Sequence, residues 1–170
     1  KRKGGTRVRP LPLPQAQVRI PLVREQVEDM GRTYSCEIVK RRKTQPPVTT
    51  SLNLQIAEDR SAAYLETLHL ADGQPFAFET RWVNLATVPD FETADLGTLS
   101  ANEWLVRKVP FTRGEVELSA ISAEARTAQM LSIGRGEALF TMRRTTWLGE
   151  RSVTTMALHY TPGYRLDFTI

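Results

Sequence analysis

Along residues 137–160 apolar and polar side chains alternate with the two-residue period of a β-strand. Ala138, Phe140 and Met142 take one face, and Val153, Thr155 and Ala157 repeat the period after a tight turn at Leu148–Arg151, so the stretch predicts a hairpin. The pattern occurs once before: Ser61–Leu70 runs into Ala71-Asp72-Gly73-Gln74 and returns as Pro75–Trp82, and Asp-Gly is a strong two-residue turn signal. On the returning segment Ala77, Glu79 and Arg81 share one face, and Phe76, Phe78 and Trp82 are assigned to the other. Each hairpin follows a short segment of similar pattern, in which Leu52 matches Leu131, Leu54 matches Ile133 and Glu58 matches Glu137. The chain therefore carries a two-fold internal repeat. Two hairpins are too few for a solenoid. One antiparallel sheet built from both, with helices on its faces and a cleft between the halves, is the economical fold.

Elsewhere the period changes. Val18, Leu22, Val23, Val27 and Met30 recur at helical spacing and predict a helix from Pro21 to Asp29, stopped by Gly31. Tyr34–Thr44 alternates as a strand whose far end is the basic run Lys40–Lys43, and Pro46-Pro47 resets the chain before a short helix at Val48–Leu54. Residues 83–97 are irregular and long for a connection, which in a compact domain often borders a site. Ser100 and Glu103 form a capping box for a helix through Trp104, Leu105, Val106 and Val109, ended by Pro110. Thr112–Ile121 predicts another long strand, Ser122 a cap for a helix over Ala123–Leu131, and Tyr164–Ile170 a terminal strand. The expected class is α+β, a six-stranded, mainly antiparallel sheet with flanking helices.

With 170 residues, 41% apolar and 25% charged, the chain suits one domain with one core. Cys36 is the single cysteine, so no internal disulfide forms, and no Cys and His are spaced for zinc. Both features suit a reducing cytoplasm. His69 and His159 each stand alone on a strand and read as structural residues, so neither metal nor cofactor is expected. No apolar run reaches the roughly 18 residues of a membrane span. Nor is there a Gly-x-Ser-x-Gly, a phosphate loop or an ordered Cys/His pair, so enzymatic chemistry is not expected. The net charge of +4 hides an asymmetry: residues 1–45 hold 12 Lys and Arg against four acids, +8, leaving −4 for the rest. A basic end of this kind suits either a polyanion, nucleic acid above all, or a solvated tail. Within it, Lys1–Pro14 opens on Gly4-Gly5 and closes on prolines at alternate positions, a strand end followed by a stiff linker, which divides the chain into 1–14 and 15–170.

The order of a helix, Leu-x-Ile, a strand bearing Met142–Trp147, a turn, Val153-Thr154-Thr155 and then Tyr160–Arg165 resembles the effector-binding UTRA domain of GntR-type bacterial transcription regulators. It is most similar to the branch named for the repressor of histidine utilisation. Ala71–Pro75 with Glu79 adds to the likeness, which covers the chain from about Gly4, and Lys3–Val8 resembles the last strand of a winged helix-turn-helix wing. The resemblance implies a chorismate-lyase-like fold, a preceding DNA-binding domain through which alone DNA is reached, a homodimer matched to two-fold operators, and a small-molecule effector. Lyase activity and a dimerisation module without ligand are the alternatives it leaves open.

It also implies site residues. In relatives that bind phosphorylated amino sugars, two arginines occupy the positions matching Thr67 and His69. Their replacement implies a smaller or singly charged effector, a urocanate-like imidazole acid in this branch. Glu79 matches a ligand-contacting glutamate, although a salt bridge with Arg81 explains it as well. Asn102 matches a polar contact and Trp104 an aromatic wall, or else core. Thr155 matches a ligand-binding acid, Tyr160 joins the candidate set, and Arg144, with Arg165, is placed either to hold a carboxylate or to pair at the surface.

Overall fold

The computed structural model describes residues 22–57 and 60–167. The linker at Lys1–Pro14, the helix start at Pro21, Glu58 and the last three residues lie outside that range. The elements run α1 (Val23–Asp29), β1 (Tyr34–Thr44), α2 (Val48–Asn53), β2 (Ala62–Ala71), β3 (Gln74–Val83), a 3-10 turn at Pro89–Thr93, α3 (Ala101–Lys108), β4 (Arg113–Ser122), α4 (Ala125–Leu131), β5 (Ala138–Leu148) and β6 (Arg151–Tyr160). The six strands form one antiparallel sheet in the order β1-β2-β3-β6-β5-β4. That order is symmetric about the β3–β6 pair. The repeat is thus longer than the hairpins reveal: helix, strand, helix and hairpin occur twice, and the two hairpins meet at the middle of the sheet.

Local chemistry accounts for most boundaries. Asp72 and Gly73 turn the first hairpin with φ of +52° and +74°, the left-handed pair that this tight turn demands. Ser100 caps α3 reciprocally: its Oγ accepts from the Glu103 N–H at 3.2 Å, and the Glu103 carboxylate accepts from the Ser100 N–H at 2.9 Å. Two expectations are corrected. Ser122 ends β4 instead of capping α4, which begins two residues later with Glu124 as its N-cap. Tyr164 starts no strand; residues 164–167 are irregular, because the Tyr164 ring stacks on Tyr160 at 3.6 Å and its hydroxyl donates to Gln26 at 2.7 Å, which draws the chain over the sheet instead of along it.

Helices cover both faces. Beneath α1, α3 and the 3-10 turn lie two apolar clusters. One is built on Leu65, Val83, Phe91, Ala101, Leu105 and Val153, the other on Val27, Tyr34, Ala77, Met156, Leu158 and Tyr160. On the opposite face α4 packs Ala128 and Leu131 onto Leu68, Phe78 and Leu139. Fully burying each such leucine or phenylalanine contributes about 1.5–3 kcal/mol. Phe76 departs from its expected side. A bulge between His69 and Leu70 turns it onto the face of Ala77, edge-on to Tyr160.

Candidate ligand-binding site

Two-residue periodicity places Glu79 and Arg81 on one face of β3, and both are buried, Arg81 completely. They pair side by side: Arg81 Nε donates to Glu79 Oε1 at 2.7 Å and Nη2 to Oε2 at 2.9 Å. Burial alone would push the Glu79 carboxyl up, but the charge of Arg81, the neighbouring His69 and the Arg81 hydrogen bonds outweigh it and hold the group well below the usual carboxylate range. Arg81 also reaches Thr154 Oγ1 and Asn102 Oδ1, both at 3.3 Å. Glu79 and Arg81 come from the first repeat, Thr154 from the second, and Asn102 from the first turn of α3.

Around this pair lie polar groups without partners. Among the described residues four buried side-chain polar atoms lack a hydrogen bond, and three of them, Thr67 Oγ1, His69 Nε2 and Arg144 Nε, are on this face of the sheet. Thr67 lies directly across from Glu79. His69 Nδ1 is 2.8 Å from the Tyr34 hydroxyl, which leaves Nε2 at 3.9 Å from Glu79 Oε2, beyond hydrogen-bond length. Arg144 meets Asn102 Oδ1 through Nη2 and has no acidic partner among the described residues. Burial and then the charge of Arg81 pull its guanidinium down to about 10. Unsatisfied buried polar atoms each cost on the order of 1–3 kcal/mol, and three converging on one face are what a bound polar molecule would satisfy.

The helix that follows the undescribed N-terminal residues is tied to this cluster. Arg24 of α1 donates through Nε to Glu103 at 2.6 Å and through Nη2 to the Thr98 carbonyl at 3.1 Å, and its guanidinium lies 4.5 Å from the Tyr34 ring centre. Burial raises the Glu103 carboxyl, yet the Arg24 hydrogen bond and the Ser100 contacts outweigh it and keep the group low. Gln26 donates to the Tyr160 hydroxyl at 3.1 Å and accepts from Tyr164.

Of the residues picked from the sequence, Thr67, His69, Glu79, Arg81, Asn102, Arg144 and Tyr160 therefore share this face, and two do not join the cluster. Trp104 packs edge-on to Phe91, centroids 5.3 Å apart, as part of the core. Thr155 points to the other face, bonded to Thr145 at 2.9 Å, where it lines an open cleft of about 430 Å³ with Thr50, Asn53, Trp82 and Arg143. The inward residue is its neighbour Thr154. Thr154 follows the two-residue alternation of Met156, Leu158 and Tyr160, in unbroken register with β3, and the bulge at Val153, where pairing skips from Thr146–Thr154 to Trp147–Ser152, turns Val153 itself into the core. Tyr34 and Arg24 were not visible as site residues, since nothing in their spacing relates them to His69 or Glu103. Arg165 is exposed.

The family profile of the UTRA domain matches residues 29–167. The chain belongs to the UTRA domain family. Within it, this UTRA domain is 29% identical over 143 residues to the histidine utilization repressor of Pseudomonas putida and 28% identical to that of Pseudomonas aeruginosa, with 84% of this chain covered in each case. It spans 57% of the length of those repressors. The C-terminal domain of histidine utilization repressor from Pseudomonas syringae superposes with a TM-score of 0.76 at 28% identity, covering 81% of this chain and 99% of that one. The effector domain of PhnF from Mycobacterium smegmatis shares the fold, with a TM-score of 0.73 at 18% identity, covering 85% and 90%. The α+β, chorismate-lyase-like architecture expected of a UTRA domain is the one observed.

Proposed function

We propose that this UTRA domain is the effector-sensing part of a GntR-type transcription repressor, and that its effector is a small monocarboxylate carrying a nitrogen ring or amine, of the urocanate and histidine kind. One observation carries the reading: Arg144 is a cation with a buried, unpartnered Nε, while the other guanidinium of the cluster is already matched by Glu79. One unmatched positive charge suits one carboxylate. A dianionic phosphate would need a second, and Thr67 and His69 supply none. With its carboxylate at Arg144 on β5, the ligand would lie over β6 and β3 toward Thr67 and His69 Nε2 on β2. Strands three apart are separated by roughly 14 Å, a distance that the inward reach of the Arg144 and His69 side chains shortens. The matched repressors take their names from histidine utilisation, which supports the choice of ligand class.

Binding would be passed to a DNA-binding domain preceding α1, in a homodimer working in the bacterial cytoplasm. The route runs from His69 through Tyr34 to Arg24, and from Asn102 through its neighbour Glu103 to the same arginine. A ligand that prefers one setting of these contacts shifts α1 only by its difference in affinity between settings. We read the domain as a binder and not a catalyst. Its central carboxylate is locked in an ion pair and held far from neutrality, which removes it from proton transfer.

Thermal unfolding with urocanate, histidine and glucosamine 6-phosphate tests this. We expect urocanate or histidine to stabilise the protein, and Arg144→Met to abolish that gain while leaving the ligand-free protein as stable or more so, because a buried unpaired charge is removed. Stabilisation by the sugar phosphate alone would overturn it.

A further inference from the structure

Tyr34 stands on β1 two residues from Cys36, the residue directly across from His69, and its hydroxyl lies 2.8 Å from His69 Nδ1 with both side chains buried. A neutral imidazole has one N–H, and its neighbours decide which nitrogen carries it. Two neighbours agree here. His69 Nε2 lies 3.9 Å from Glu79 Oε2, and Glu79 is ionised in its pair with Arg81. An N–H is drawn toward that carboxylate, whereas a bare lone pair would be repelled by it. The Tyr34 hydroxyl has the complementary need. Burial raises its pKa, so the phenol keeps its proton, and among the described residues His69 Nδ1 is the nitrogen or oxygen it meets; the neighbouring Cys36 thiol is only a weak acceptor.

We propose that Tyr34 is a positioning residue for the effector: its hydroxyl donates to His69 Nδ1, which places the ring proton on Nε2 and commits His69 to donating into the site. A charged ring would donate from both nitrogens, so Nε2 faces the site as a donor in either state. Arg144 Nε is a donor only, and Thr67 Oγ1 donates as well as accepts. The unpartnered atoms therefore ask the ligand for hydrogen-bond acceptors at both of its ends. The ligand class rests on the preceding reading, in which a carboxylate meets Arg144. The far end is then a ring nitrogen with a free lone pair, as in a neutral imidazole. An ammonium or a pyrrole-type N–H would set donor against donor at Nε2 and leave both unsatisfied.

The proton is read without any ligand. In protein carrying nitrogen-labelled histidine, long-range proton–nitrogen spectra at mildly alkaline pH should show His69 protonated at Nε2, with Nδ1 bare and hydrogen-bonded; His159→Gln assigns the signals. In Tyr34→Phe the Nδ1 signal should move toward that of a free lone pair while thermal unfolding stays cooperative. A proton on Nδ1, or an Nδ1 signal that Tyr34→Phe leaves in place, overturns the proposal. The ligand class is read by calorimetry with urocanate and two acids of like shape. Pyridylacrylate, whose ring only accepts, should bind as urocanate does, and pyrrolylacrylate, whose ring only donates, should bind about tenfold more weakly. Tyr34→Phe should narrow that preference. Equal binding of pyrrolylacrylate, or a preference that Tyr34→Phe leaves unchanged, overturns the proposal. If none of the three acids binds while the spectra are as expected, the preceding reading of the effector falls and the placement of the proton stands.

Discussion

At the scale of single residues, the chain keeps a charge pair where leucines would be cheaper. Glu79 and Arg81 sit side by side under two helices, and desolvation of such a pair commonly cancels much of its attraction. Removing one member is another matter, since the other is then left buried and uncompensated. Glu79→Gln should destabilise the protein by about 3–5 kcal/mol, read from chemical denaturation at neutral pH. The pH dependence has a definite sign. The Glu79 carboxyl is depressed in the folded state, so its contribution is complete above the unfolded value of about 4.3 and is lost as pH falls from there toward the folded value. The stability gap between wild type and Glu79→Gln should therefore be constant from pH 7 to about 5 and narrow below about 4.3. Glu66, Glu103 and Asp72 are depressed in the same direction, and subtracting the Glu79→Gln curve removes their share. A gap unchanged down to pH 3 would show that folding does not depress the Glu79 carboxyl.

At the scale of elements, the N-terminus of α3 and the side of α1 are closed on each other by Glu103, which serves the Ser100 cap with one oxygen and Arg24 with the other. A double-mutant cycle of Arg24→Met and Glu103→Gln should give a coupling energy of about 1–3 kcal/mol, well above that of an exposed pair, because Glu103 is buried. Coupling indistinguishable from zero would remove Arg24 from the route to α1. The same elements show what the sequence makes legible. Alternation located all six strands, and Asp72-Gly73 and Ser100 with Glu103 located a turn and a cap, since each is written in residues close together. The joining of Glu79, Arg81 and Asn102 was legible through pattern and family resemblance. The inward turn of Val153 was not, because the bulge there arises from pairing with β5 and has no local signal, whereas Thr154 follows the alternation of Met156, Leu158 and Tyr160. Tyr164 misled for a like reason: its alternating neighbours suit a strand, but a stacking partner in Tyr160 decided its place. Arg143-Arg144 is marked by type alone, and only the register tells that Arg144 turns inward beside Asn102 while Arg143 faces the open cleft.

At the scale of the whole molecule, the duplication does not make two folding units. Each apolar cluster draws on both repeats: Leu65 and Val83 pack with Leu105 and Val153, Val27 and Tyr34 with Met156 and Leu158, Leu68 and Phe78 with Leu131 and Leu139. The polar cluster does the same, since Arg81 of one half needs Thr154 and Asn102 of the other. Neither half holds a core that survives alone, and the β3–β6 ladder at the centre lets disorder in one half expose the other. The chain should unfold in one cooperative step. Its tryptophans allow a direct check, because Trp82 lies in the first repeat and Trp104 and Trp147 in the second. A variant keeping only Trp82 and one keeping only Trp147 differ in what they report, so each is compared with its own far-UV circular dichroism. In both, fluorescence and circular dichroism midpoints should coincide within about 1 °C, as two-state unfolding requires. If Trp82 reports a transition apart from the backbone signal while Trp147 follows it, the first repeat melts on its own. Ligand binding across the seam would then have to order that half before it could move α1.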